Sequence, residues 1–227
     1  MKKALLLSTC LSACLGTMLA SQFALAEDDL VINGCTIAPE TQCPGVDLSG
    51  ADLKNQDLTG ADLTGANLAG ADLRHTILKN AKIEKANLTK ANLARADLRH
   101  ASLRGSNLTE ANLEAIQGWA MFAQGANFYR ANLRGANLEF SRLSAAKMQY
   151  ADLQAANLEI AWMTKVNLKG ANLKNANLQE AKLNAATLED ADFTGVRRHY
   201  ATFQATYMKG CKGCPFDWAK NGLVENQ

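Results

Sequence analysis

The chain has 227 residues, 48% hydrophobic and only 6% aromatic, with 24 basic and 22 acidic side chains. That near-balance argues against the dense single-sign charge of nucleic-acid binders and DNA mimics. A composition dominated by Ala and Leu, with three Pro, suits one domain or one long repeat array.

In chain order, the first 26 residues read as a leader. Lys2 and Lys3 give a positive start, an apolar run follows from Ala4 to Ala20, and Ala24-Leu25-Ala26 precedes Glu27-Asp28-Asp29. These are the three parts of a secretory signal peptide. The run is too interrupted by Ser, Thr and Gly for a membrane span. Cleavage after Ala26 predicts a periplasmic or secreted protein with no transmembrane segment in its mature form. A rival lies inside: Leu11-Ser12-Ala13-Cys14 has the look of a lipoprotein processing box, which would leave a lipidated Cys14. The residues after Cys14 stay apolar where a polar tether is usual, which favours Ala26. Without Lys2 and Lys3 the chain holds 22 basic and 22 acidic residues. Residues 27–75 carry nine acids and two bases, a net of −7, and residues 76–227 carry thirteen acids and twenty bases, a net of +7. The asymmetry reads as two solvated surfaces, or as end-to-end association or an anionic partner at the basic end.

From residue 46 to 208 the chain repeats every five residues. Ala51-Asp52-Leu53, Ala86-Asn87-Leu88 and Ala171-Asn172-Leu173 are typical. Stepping by five from Leu48 to Met208 visits 33 positions without insertion or deletion. Leu occupies 23 of them, and Ile83, Phe128, Met148, Met163, Phe193, Phe203 and Met208 are also large and apolar. Ala stands two residues earlier at 23 positions, with Asp or Asn between at 20. A helix advances about 500° in five residues, so successive Leu share no face. A strand throws odd steps to opposite faces. A chain that bends once per repeat turns every Leu toward a common axis, which predicts a coiled solenoid with Leu and Ala inside.

This A-(D/N)-L-x-x run resembles the pentapeptide repeat family. The resemblance implies an all-β fold, a right-handed quadrilateral β-helix with four repeats per coil and about eight coils here. Three departures stand out. At Ile116-Gln117-Gly118 and Met121-Phe122-Ala123 the large and small inward residues trade places. Core volume is conserved, so the solenoid is predicted to run on unbroken. Arg198 would put a charge on the axis, so residues 196–200 are predicted to bulge.

Residues 27–45 and 209–227 are read as caps, with Phe216 and Trp218 covering the final coil. Cys35, Cys43, Cys211 and Cys214 are an even set after a leader, which reads as disulfides. Four Cys allow three connectivities. Bridged Cα atoms must lie within about 7 Å and the pairs sit at opposite ends of the rod, which selects Cys35–Cys43 and Cys211–Cys214.

No nucleophile–base set, HExxH or phosphate loop appears, and His75, His100 and His199 form no ligand group. The chain is read as non-enzymatic, with no cofactor and no metal. On the four-sided geometry that the resemblance implies, one patch gathers scarce aromatics: Trp119, Phe122, Phe140, Arg142, Ile160 and Trp162, with Ala120 among them. Trp and Arg are common interface anchors, so this is the candidate interaction surface. A weaker stripe comprises Lys54, Arg74, Arg95, Arg134 and Lys174 on the second side. The leading expectation is an exported structural or protein-interaction module with a protein or envelope partner, no nucleic acid, and homo-oligomerisation left open. The resemblance implies one alternative, a DNA mimic protecting gyrase, against which stand the neutral charge and the leader. A thiol-redox role for Cys211-Lys212-Gly213-Cys214 is another.

Overall fold

The computed structural model describes residues 30–215. The leader, Cys14, Phe216 and Trp218 lie outside the described residues.

The residue between Ala and Leu pairs in parallel with its counterpart twenty residues on, as in Asp47↔Asn67 and Asn67↔Asn87. Four repeats therefore close one coil. We number the sides from the repeat centred on Leu48, so Leu53, Leu58 and Leu63 centre the second, third and fourth. Each pairing uses two backbone bonds: Leu48 N–H donates to the Asn67 carbonyl at 2.7 Å, and Asn67 N–H to the Val46 carbonyl at 2.9 Å. The ladder thus consumes backbone groups alone. At each corner the Ala N–H returns to the Leu carbonyl three residues back, Ala51 to Leu48 at 3.1 Å. The residue two after each Leu sits in the left-handed region, Gly50 at φ 65° and Asn55 at φ 59°. Only glycine takes that conformation freely.

The Asp/Asn signature follows from the same corner. Asp47 Oδ1 accepts the Ser49 N–H at 3.0 Å and Asp62 Oδ1 the Thr64 N–H at 3.0 Å. This is the side-chain turn for which Asp and Asn are suited. Where Asn follows Asn up a side, the amides also link coils, Asn87 Nδ2 to Asn67 Oδ1 at 3.0 Å and Asn132 Nδ2 to Asn112 Oδ1 at 3.0 Å. The Ser49, Thr59 and Thr64 hydroxyls, helped by the backbone N–H groups, hold Asp47, Asp57 and Asp62 below the ordinary carboxylate value.

The axis is filled by Leu and Ala that are buried along the whole ladder. Thr76 and Thr206 replace Ala without cost in unmet polarity, because their hydroxyls donate to the Leu53 and Leu183 carbonyls at 2.7 and 2.9 Å. The coil runs unbroken through 116–125, as the conserved volume predicts. Gly118 N–H reaches the Asn137 carbonyl at 2.7 Å and Ala123 N–H the Arg142 carbonyl at 2.8 Å. Ile116, Met121 and Ala123 are fully buried. A Cβ on Gly118 would stand 3.0 Å from Leu138 Cδ2 and 3.1 Å from Met121 Sδ, so the Met121 side chain occupies the space that the usual leucine would fill at this position.

Both ends differ from the sequence expectation. The ladder runs from Gln42 to Lys212, so the ends of both expected caps are already coil. Before it, strands β1 (Val31–Ile32) and β2 (Cys35–Thr36) form a hairpin around Asn33-Gly34, both with positive φ. Asn-Gly is the preferred pair for such a turn. Asn33 Nδ2 donates to the Asp47 carbonyl at 2.6 Å, tying the hairpin to the first coil. Cys35 and Ile37 are buried against the core. The bulge expected at 196–200 is absent. Arg197 pairs in register with Asn177, and Glu180 N–H still reaches the His199 carbonyl at 2.9 Å. Arg198 is exposed and donates to the Gly213 carbonyl at 3.2 Å. It belongs to the last described coil of its side, where the Gly213 carbonyl is within its reach. The Cys35 and Cys43 Cα atoms lie 5.7 Å apart and those of Cys211 and Cys214 lie 5.8 Å apart, with both sulfur pairs at disulfide distance.

Two outcomes follow. Gly118→Leu alone destabilises by about 1–3 kcal/mol through overpacking, and adding Met121→Ala recovers most of it. Denaturant midpoints of the two variants check this, and equal losses in both would contradict the volume exchange. Because the three Asp carboxylates titrate lower in the folded chain, the stability they contribute is present at neutral pH. It is lost as pH falls below about 4 towards their folded values. A thermal midpoint measured against pH should stay level down to about pH 5 and then fall; a level profile through the carboxylate range counts against the side-chain turns.

Candidate interaction surface

The corner where the third side meets the fourth is where the aromatics collect. One column belongs to the fourth side and runs Asp62, Lys82, Ser102, Phe122, Arg142, Trp162, Lys182, each bridged to the next. Its members stand about 4.8 Å apart, so each side chain lies within reach of the ones above and below. Arg104 and Arg142 guanidinium carbons lie 4.6 and 5.3 Å from the Phe122 ring centre. Arg142 and the Lys182 ammonium lie 5.8 and 4.5 Å from the Trp162 ring centre. Each such contact is worth about 0.5–1 kcal/mol at an exposed site. The stack thereby orders long cationic side chains that would otherwise be free.

Around the corner, on the third side, Trp119 meets Phe140 edge-on at 5.8 Å and His100 edge-on at 4.8 Å. Trp119, Phe140 and Trp162 are 36%, 41% and 47% exposed, which is high for large aromatic rings in so small a set. Phe122, Ala120 and Ile160 are half-buried and Arg142 is exposed. The structure thus groups the six expected residues about one corner, in two touching clusters: Trp119 with Phe140, and Phe122 with Arg142 and Trp162. Ile160 follows Phe140 in the corner column. His100, Arg104 and Lys182 join them, although sequence reading passed them over. The signal was present, since all three are reached by stepping twenty residues, or one column across, from residues already chosen. A separate aromatic pair, Tyr129 and Tyr150 at 5.8 Å, lies on the first side, and its Tyr150 ring rests where a Cβ on Gly170 would come within 2.6 Å.

The corner column also carries strain. Ile160 adopts φ 57° and Phe140 φ 58°. A β-branched residue in the left-handed region is an outlier, costing roughly 1–2 kcal/mol.

Charge separates the fourth side from the others. The repeats at 101–105, 121–125, 141–145, 161–165, 181–185 and 201–205 contain no Asp or Glu. Among the described residues, Arg142 and Lys182 have no carboxylate partner. The second side is the opposite. Four of the five residues of its expected basic stripe are neutralised within the face: Lys54 with Asp52 at 3.1 Å, Arg74 with Asp72 at 2.7 Å, Arg134 with Asp152 at 3.1 Å and Lys174 with Asp192 at 3.3 Å; Arg95 has no carboxylate partner among the described residues. Carboxylates at the turn positions sit directly beside most of the outward cations there, so the stripe is not a continuous free cationic surface. Among the described residues no three His, Cys, Asp or Glu side chains cluster as a metal site, and no helix is long and apolar enough to cross a membrane.

Replacing Ile160 with Gly should relieve the corner strain and raise stability by about 1 kcal/mol, after the larger entropy loss of glycine is subtracted. Denaturant unfolding checks this; a destabilised Ile160→Gly would mean that packing, rather than backbone strain, governs the site.

The comparisons agree with this geometry. The chain is similar to HetL, a pentapeptide repeat protein involved in heterocyst differentiation regulation from the cyanobacterium Nostoc sp. strain PCC 7120. Identity is 29%, over 76% of this chain and 87% of that one, with a TM-score of 0.57. Rfr23, a pentapeptide repeat protein from the cyanobacterium Cyanothece 51142, is 33% identical over 47% of this chain and 63% of its own, with a TM-score of 0.28. QnrB1, a plasmid-mediated fluoroquinolone resistance protein, is 16% identical over 71% and 90%, with a TM-score of 0.45. No curated protein matches the chain. The pentapeptide-repeat profile matches eight copies, over residues 47–84, 76–114, 124–159 and 161–197. With more than half its length so matched, the chain belongs to the pentapeptide repeat family and folds as that family's right-handed quadrilateral β-helix.

Proposed function

We propose that the protein is an exported, non-catalytic interaction module that binds through the aromatic–cationic corner between its third and fourth sides. The observation that carries this reading is the pair of clusters there. Three exposed aromatic rings and two cations without carboxylate partners among the described residues meet on one corner. Trp and Arg are frequent anchors in interfaces. Export is supported by the charged start, apolar centre and A-x-A exit before Glu27, and by two cysteine pairs at disulfide distance, one near each end of the ladder.

Two other readings fare worse on specific observations. Gyrase protection by DNA mimicry needs a dense negative surface, whereas the fourth side lacks acids from Ala101 to Ala205 and the outward ladders are rich in neutral Asn. A redox dithiol needs an accessible thiolate, whereas Cys211 and Cys214 are buried.

The export half is tested by the intact mass of the protein from a periplasmic fraction, with and without thiol alkylation. A chain starting at Glu27 with no alkylatable thiol is the expected result. A lipidated start at Cys14 would place the rod on a membrane, and an uncleaved, fully alkylated chain would overturn export and both disulfides.

A further inference from the structure

The charges left over at the corner follow a pattern of their own. On the third side, the outward column runs Thr59, Lys79, Arg99, Trp119, Glu139, Glu159, Gln179. Below Trp119, Lys79 and Arg99 share the Asp97 carboxylate, at 3.5 and 2.7 Å. Asp57, held low mainly by the Thr59 hydroxyl, also feels Lys79, so the two outward cations stand beside two acids of their own side. Above Trp119, Glu139 and Glu159 accept only from the amides of Asn157 and Asn177. Among the described residues neither has a cation partner. Within this column the outward charges have opposite sign at equal steps, one and two coils, on either side of Trp119. The fourth-side column, centred on Phe122 in the same coil, is opposite in sign only at three coils, with Asp62 below (3.9 Å from Lys82) and Lys182 above; Lys82 and the Trp162 ring lie two coils away, and Ser102 and Arg142 one.

A column that reverses its charge about one level is complementary to itself when turned end for end. We propose that this corner is a self-association surface, on which a second copy of the chain docks antiparallel about a two-fold axis at the level of Trp119 and Phe122. This rests on the surface reading above and names its occupant. The axis lies in the contact plane and perpendicular to the rod, so each column faces itself reversed. Lys79 and Arg99 meet the partner's Glu159 and Glu139. Asp62 meets the partner's Lys182, Lys82 the partner's Trp162 and Ser102 the partner's Arg142. Trp119 and Phe122 sit on the axis opposite their own copies, and Ala120 between them leaves room for close approach. Such a patch, the same surface on both subunits, is the usual form of a two-fold dimer. A parallel arrangement about an axis along the rod exchanges the two columns at equal height: Glu139 then meets the partner's Arg142, but Lys79 is set against the partner's Lys82, Glu159 against the partner's Trp162 and Lys182 against the partner's Gln179. Like charges across a contact cost several kcal/mol, so the direction is specified. Lys85 and Lys165 are the one like-charged pair in the antiparallel arrangement, and they stand at the far corner of the fourth side, away from the axis.

The matched stretch from Asp62 to Lys182 spans six coil spacings, about 29 Å, and is only about one side wide. That places the interface at the small end of specific contacts. The dimer is accordingly weak, populated at roughly micromolar to tens of micromolar concentration, and weakened by salt because its charges stay near solvent.

The experiment is sedimentation velocity of the full mature chain over a concentration series at low and high salt. The expected result is a concentration-dependent dimer that salt weakens. Glu159→Lys sets two cations against each other, as does its reverse Lys79→Glu with two carboxylates, and each should raise the dissociation constant about tenfold or more. The double variant Lys79→Glu/Glu159→Lys restores opposite signs and should recover the dimer. Failure of that recovery, or a monomer at all concentrations, overturns the proposal. A photoreactive residue at position 162 separates this from failure of the surface itself. A product of twice the chain mass supports self-association. A product of another mass only, such as one with a polyanion added as probe, overturns the second copy as occupant and leaves the surface standing. No product at 162, with equal behaviour at position 154 on the second side, removes both.

Discussion

Everything in this molecule depends on one backbone constraint: the chain must turn a corner every five residues so that each short segment meets the segment twenty residues on. The hydrogen bonds that reward this are made by main-chain groups, Leu48 to Asn67 and Asn67 to Val46 being the pattern. Their cost is a left-handed residue at each corner, borne by Gly50 or Gly70 without strain and by Asn55, His75 or Ile160 with it. The side-chain signature is the means of satisfying that constraint. Leu fills the axis, Ala lets the chain pass close to it, and Asp or Asn closes the turn from outside, as Asp47 does on the Ser49 N–H.

Because the ladder needs no particular outward side chain, the surface is free to vary, and its variation follows the geometry. A side chain on one coil lies about 4.8 Å from its counterpart on the next. Chemistry on such a rod is therefore written in columns. The second side writes ion pairs, with Asp72 between Lys54 and Arg74. The first writes amide ladders, with Asn67, Asn87 and their neighbours. The corner beside the fourth side writes alternating rings and cations, from Phe122 to Lys182. Isolated exposed ion pairs add little to stability, so these columns bear more on what the rod meets than on whether it folds.

The ends obey a different rule. A repeat array is stable only through its neighbours and must be closed at both ends. At the start, a hairpin around Asn33-Gly34 does this, with Cys35 and Ile37 set against the first coil. At the other end the same need explains why Arg198 is tolerated. A guanidinium in the middle of the axis would be buried without an ion partner, whereas at the last described coil of its side it reaches outward to the Gly213 carbonyl. The exchange of large for small at Ile116, Gly118, Met121 and Ala123 shows the complementary tolerance inside, where volume must be kept but the position that supplies it can move.

How much of this could be read from residues alone varies by level. The five-residue period determined the inward positions, because no helix or strand can bring those Leu together, and the unbroken register carried the coil through Gly118 and Ala123. The cysteine pairs followed from the length of the rod, and the corner patch from counting sides. The period did not show where the coil begins and ends, since Gln42 and Lys212 join the ladder through backbone groups that any residue offers. Nor did it show that four of the five cations of the second-side stripe are already neutralised, or that His100, Arg104 and Lys182 complete the corner. Those facts depend on which side chains stand one coil apart and which way they lean, and that is decided only when the chain closes on itself. Residue order dictates what points inward because burial is a one-dimensional pattern here; it leaves the surface to tertiary structure because neighbours on the rod are twenty residues apart in the chain.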